Sequence, residues 1–111
     1  VGHATLFFAS QRGDVHFDSD ESWTIMNSNN LQVTTHTDFL ITAIHEIGHV
    51  LGLAHSKDRK SIMWNQYQPP TNNATGRYVE PKLDGEMITT LQRKYGNGTI
   101  CGRSRQSRFK Y

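Results

Sequence analysis

The chain has 111 residues, enough for one domain and no more. Hydrophobic residues make up 35 %, and even with the 9 glycines added the apolar share falls below the roughly 45–50 % usual for a globular domain. With one cysteine, Cys101, an internal disulfide is excluded. The six histidines make metal ions the better candidate for supplementary stability. Formal charge is +2, but Arg103, Arg105, Arg108 and Lys110 all lie in the last eleven positions, so the body is slightly acidic. No basic stripe marks a nucleic-acid reader, and no apolar run approaches the roughly 18 residues of a membrane span.

In chain order, Val1 to Phe8 is apolar and β-prone, and Asp14 to Asp18 alternates polar and apolar, so two strands joined by a loop are expected. Asn27 to Gln32 reads as a connection. Thr37 or Asp38 is a candidate N-cap for a helix in which Leu40, Ile44, Ile47 and Leu51 fall on one stripe at 100° per residue. That stripe is expected to be buried, with His45 and His49 facing away from it. Gly52 ends the helix and turns the chain. From His55 through Pro69-Pro70 the pattern is that of a long loop; Leu83, Met87, Ile88 and Leu91 then give a second helical period, closed near Gly96 and Gly98. The expected domain is 1–98, with 99–111 as a basic tail or the start of a linker.

The segment from His45 to His55, His-Glu-Ile-Gly-His-Val-Leu-Gly-Leu-Ala-His, carries the chemistry. Two imidazoles one helical turn apart can hold one ion beside the helix, and the turn at Gly52 lets His55 reach a third position. Three neutral nitrogens suit zinc and leave its fourth position open. Glu46, one residue beyond the first ligand, is the expected general base toward water held there.

This segment, followed by Ser56 and by Met63 in Ser61-Ile62-Met63, resembles the metzincin zinc peptidases with their Met-turn; Ser56 after the third histidine resembles the matrixins among them. Gly13 to Trp23 is similar to the matrixin stretch that supplies structural-metal ligands. The resemblance implies an α+β fold: the edge of a twisted, mostly parallel sheet, the zinc-ligand helix, the Met-turn and a C-terminal helix, incomplete on its N-terminal side. It also implies a structural zinc held by His3 and His16, and calcium held by Asp14, Asp18 and Glu21, hard carboxylates being the donors calcium takes. Met63 becomes an apolar floor under the imidazoles, not a ligand. His36 has no metal role and is expected at the surface.

By the same resemblance a protein substrate would bind as an extended strand along Gly2, His3 and Ala4, with an apolar side chain after the cleaved bond in a pocket lined by Ile41 and Tyr67. The implied activity is zinc-dependent endopeptidase cleavage of extracellular-matrix or pericellular proteins. The alternative is a silent zinc-binding module. The chain departs from the family pattern at Asn65, where proline is usual after the Met-turn, and in the long stretch from Tyr67 to Leu83. It departs again at Glu86-Met87, in place of an Asp-Asp pair. Two glycosylation sequons, Asn73-Ala74-Thr75 and Asn97-Gly98-Thr99, agree with secretion, and Cys101 is expected to pair outside this chain. Arg105 to Arg108 faintly resembles a basic processing site.

Overall fold

A computed structural model describes residues 3–4, 14–31 and 35–97. Four two-residue strands and two helices follow in order: β1 (His3–Ala4), β2 (Val15–His16), β3 (Trp23–Thr24), β4 (Thr37–Asp38), α1 (Phe39–Val50) and α2 (Gly85–Tyr95). β1 and β2 pair antiparallel, and β3 and β4 pair parallel. This is an α+β arrangement: the strands precede α1 in the chain, and a long loop joins α1 to α2. No helix among the described residues is long and apolar enough to cross a membrane.

The two expected N-terminal strands survive as β1 and β2, while the remainder of Val1 to Phe8 lies outside the described residues. The sequence pattern missed β3 and β4, each too short to show alternation. They are held by more than their ladder. The Trp23 indole packs edge-on against Phe17 and Phe39, with ring centroids 5.8 and 5.7 Å apart, and Phe17 and Phe39 are 4.8 Å apart. This aromatic trio fastens the strand segment to the first residue of α1.

Asp38 fixes where α1 begins. It is the N-cap: one carboxylate oxygen accepts the Ile41 N–H at 2.8 Å, and the other accepts the Met26 N–H at 2.7 Å. Its own N–H donates to the Tyr67 hydroxyl at 2.9 Å, and its carbonyl accepts the Thr42 hydroxyl at 2.8 Å. At 1 % exposure, this carboxylate therefore ties β4, the β3–β4 connection and α1 together with charge-assisted bonds. The far end of α1 closes as a Schellman motif. Gly52 sits at φ +84°, its N–H bonds to the His49 carbonyl and the Leu53 N–H bonds to the Gly48 carbonyl, both at 2.9 Å.

One expectation is corrected here. The apolar stripe of α1 is not buried: Leu40, Ile47 and Leu51 are 39, 49 and 36 % exposed, and only Ile44 packs against the core. The buried side of the helix carries Thr42, Glu46, Gly48 and His49 instead. Periodicity finds an apolar face but not which neighbour meets it. Here the loop from Leu53 to Met63 lies on the polar face, and the apolar one stays partly open to solvent. The second helix is corrected at its start. Leu83 precedes it and is exposed, Asp84 caps it by accepting the Met87 N–H at 2.9 Å, and Ile88 points outward. Met87, with Leu53 and Met63, forms the core, and Ile44, Ile62 and Leu91 pack around it.

Candidate metal centre

α1 projects His45 and His49 from successive turns, and the reversal at Gly52 returns the chain so that His55 faces them. The Nε2 atoms of His45 and His49 lie 3.1 Å apart, as do those of His49 and His55. Backbone carbonyls fix the protonation of two rings. His45 Nδ1 lies 2.6 Å from the Ile62 carbonyl and His49 Nδ1 lies 2.9 Å from the Leu53 carbonyl. A carbonyl only accepts, so each Nδ1 carries the hydrogen and each neutral ring turns a bare lone pair inward from Nε2. Two bare lone pairs do not bond to each other. A cation between them does, and nitrogens about 2.0–2.1 Å from a tetrahedral zinc would stand about 3.3 Å apart. The donor set therefore fits a zinc ion.

Among the described residues these three histidines form the only group of three or more ligand side chains whose donor atoms all lie within 4.8 Å of one another. His55 is exposed on its outer side, yet desolvation lowers its pKa, with the neighbouring His49 and His45 imidazoles adding to the effect. That favours the neutral imidazole a metal requires. Glu46 opposes it through its negative charge, which places this carboxylate within electrostatic reach of His55. Glu46 is 5 % exposed and takes no hydrogen bond among the described residues.

Met63 packs against α1 with little slack. Met63 is 2 % exposed, and a Cβ placed on Gly48 would stand 2.6 Å from its sulfur. Only glycine at 48 lets Met63 approach α1 so closely. The Ser56 N–H bonds to the Met63 carbonyl at 2.8 Å, pairing the strand after His55 with the turn. α2 clamps both: the Ser56 hydroxyl donates to Glu86 at 2.7 Å, the Ser61 hydroxyl donates to Asp84, and the Met63 N–H donates to Ser61 Oγ at 3.1 Å. A cavity of about 310 Å³ lies between this loop and α2, lined by His55, Ser56, Met63, Glu86, Met87 and Thr90 among others.

The remaining expected site residues lie elsewhere. In the β1–β2 register His3 stands directly opposite His16. Among the described residues Asp14, Asp18 and Glu21 form no ligand cluster of three side chains. Asp18 caps a local turn, accepting the Asp20 N–H at 2.9 Å, and Glu21 accepts the Thr37 hydroxyl at 3.0 Å. Ile41 and Tyr67 are half-buried at the N-terminal end of α1. Burial first, and then the Asp38 charge working against a backbone bond, keeps the Tyr67 phenol above its ordinary pKa. His36 is half-buried, with Nδ1 2.7 Å from the Thr35 hydroxyl.

The matrixin family profile matches residues 1–96. The chain belongs to the matrixin family. It is 42 % identical over 104 residues to matrix metalloproteinase-C of Caenorhabditis elegans, covering 94 % of this chain and 17 % of that protein. It is 40 % identical over 87 residues to matrix metalloproteinase-16 of Homo sapiens, covering 76 % of this chain and 12 % of that protein. Matrix metalloproteinase-25 of Mus musculus is 38 % identical over 97 residues, covering 84 % of this chain and 14 % of that protein. The matrixin chain thus spans about one-sixth or less of the length of the relatives it matches.

Sequence reasoning missed three parts of this matrixin site. Gly48 carried a signal, because a helix-interior glycine costs roughly 1 kcal/mol relative to alanine and needs a packing reason. The Ile62 and Leu53 carbonyls carried none, since every residue has one. The clamp from α2 was hidden because Ser56–Glu86 spans 30 positions.

Proposed function

We propose that the chain is the metal-binding part of a zinc-dependent endopeptidase, with His45, His49 and His55 as the metal ligands and Glu46 as the base. The convergence of three Nε2 lone pairs, two of them enforced by backbone carbonyls, is the observation that supports it. Zinc bound there would supply Lewis acidity, polarising a peptide carbonyl and lowering the pKa of a water molecule. Glu46 takes the proton from the attacking water and passes it to the leaving amine. Glu46 is buried on α1, within electrostatic reach of His55. Met63 keeps the imidazoles from tilting, and Ile62 and Leu53 hold two of them in the tautomer the metal needs.

A peptide would add as a strand on the edge of β1 not paired with β2, and an apolar side chain after the cleaved bond would enter beside Ile41 and Tyr67. His3 and His16, opposite one another in register, are the proposed structural-zinc ligands; Asp14, Asp18 and Glu21 are the proposed calcium ligands, Met63 the proposed Met-turn floor. Extracellular or pericellular proteins are the proposed substrates, in keeping with the family. The test pairs zinc content with hydrolysis of a quenched fluorescent peptide by the full chain and by Glu46→Gln. Zinc retained in both, with turnover lost in Glu46→Gln, supports the mechanism. Equal turnover in both refutes Glu46 as base. Zinc without turnover in either favours a silent metal-binding module.

A further inference from the structure

The stretch from Pro69 to Val79 folds as a turn with no part in the metal site. Thr71 and Tyr78 face each other as an antiparallel bridge, and the Val79 N–H bonds to the Pro70 carbonyl at 2.8 Å. Above that base the work of holding the tip falls on Asn72. Its carboxamide oxygen accepts the Ala74 and Thr75 N–H groups at 2.9 and 3.0 Å. Its backbone N–H and carbonyl bond to Arg77 and Gly76 at 2.8 and 2.7 Å. Gly76, at φ +65° and with nothing near its Cα, completes the reversal.

The neighbouring Asn73 has none of these duties. It is exposed, as are Ala74, Thr75, Gly76 and Arg77, and its carboxamide takes no hydrogen bond among the described residues. It heads the acceptor triplet Asn73-Ala74-Thr75, whose middle residue is not proline. Of two adjacent asparagines, the one in the triplet is therefore the one whose side chain the fold leaves available. The Thr75 hydroxyl accepts the Arg77 N–H at 3.4 Å, which leaves its own proton to donate.

We propose that Asn73 is a site of N-linked glycosylation; the proposal rests on the extracellular reading above. The donor is a lipid-linked pyrophosphate oligosaccharide. Asn73 Nδ2 forms a bond to the anomeric carbon of the first sugar, the bond from that carbon to the pyrophosphate oxygen breaks, and the lipid pyrophosphate departs with the electron pair. One amide proton is lost and nothing is oxidised or reduced. A large hydrophilic glycan at this tip meets no packed surface, so the fold tolerates it.

The test is translation of the full chain, behind a cleavable signal sequence, in the presence of microsomes. Asn97→Gln is the background, so that a single sequon remains. Modification meets the chain during translocation, so the outcome does not depend on whether the natural chain is secreted. Protease-protected chains are expected to carry one glycan-sized increment removed by endoglycosidase. Asn73→Gln and Thr75→Ala should each lose it, and Thr75→Ser should keep it. Protected chains without the increment, or an increment that persists in Asn73→Gln, would overturn the proposal.

Discussion

Gly48→Ala separates the stability of this chain from the quality of its metal site. Inside a helix, alanine is favoured over glycine by about 1 kcal/mol. At this position the new methyl would stand 2.6 Å from the Met63 sulfur, 3.2 Å from its terminal methyl and 3.4 Å from Leu53. The sulfur contact falls more than 1 Å short of an ordinary approach, and Met63 is too buried to swing into solvent. Overpacking of this kind costs about 1–3 kcal/mol, so the net loss of stability should be only about 0–2 kcal/mol. The metal site should suffer more. Moving Met63 also moves Ile62, whose carbonyl holds His45, and loss of such outer support typically costs about 10–100-fold in metal affinity. Zinc competition against a chromophoric chelator, read beside a urea melt, measures both quantities. Gly48→Ala is expected to show weakened zinc binding with a melt lowered by no more than about 2 kcal/mol. Met63→Ala should recover part of the lost affinity in the Gly48→Ala background, because the two residues are coupled by contact. Zinc affinity unchanged in Gly48→Ala would refute the argument that Met63 packing positions the imidazoles.

Other expectations follow from the same geometry. Ser56→Ala removes the link from the His55 loop to Glu86, and zinc affinity should fall about 10-fold by the same titration, with Glu86→Ala similar and Glu86→Gln milder because an amide still accepts. Asp38→Ala strips the cap from α1 and orphans the Met26 N–H; a loss of about 2–4 kcal/mol in urea unfolding is expected, and a loss below about 0.5 would mean Asp38 is not the hub described. His55 has a lowered pKa when folded, so below the ordinary histidine value of 6.5 the unfolded chain binds more protons than the folded one. Stability of the metal-free chain is then fully present above that pH and declines as pH falls through 6.5 toward the lower folded value. Urea midpoints at pH 7.5 and 5.5 check the sign, and a higher midpoint at pH 5.5 would reverse it.

The histidine cluster was legible because a helical turn and one glycine reversal dictate its spacing. His45, His49 and His55 occupy the places that four-residue and six-residue separations allow, whatever packs around them. The α+β character followed from the family resemblance, and the N-cap at Asp38 from its residue type. What sequence left hidden was relational. Leu40, Ile47 and Leu51 form a regular apolar stripe, yet the helix buries Glu46, Gly48 and His49, because the loop from Leu53 to Met63 folds onto that side. Local pattern and tertiary placement part company at the residues proposed to carry the chemistry, where polar groups are buried. β3 and β4 escaped notice for a different reason. Two residues carry no period, and what holds them is the contact of Phe17, Trp23 and Phe39 together with the Asp38 carboxylate, all distant in sequence.

The central claim is that one ion is held by three Nε2 atoms, and X-ray absorption at the zinc edge tests it most directly. The full chain loaded with one equivalent of zinc should show imidazole nitrogens at about 2.0–2.1 Å. The imidazole signal should weaken and zinc affinity collapse in His49→Ala, whose ring stands between the other two. A spectrum and affinity unchanged by that substitution would contradict the account.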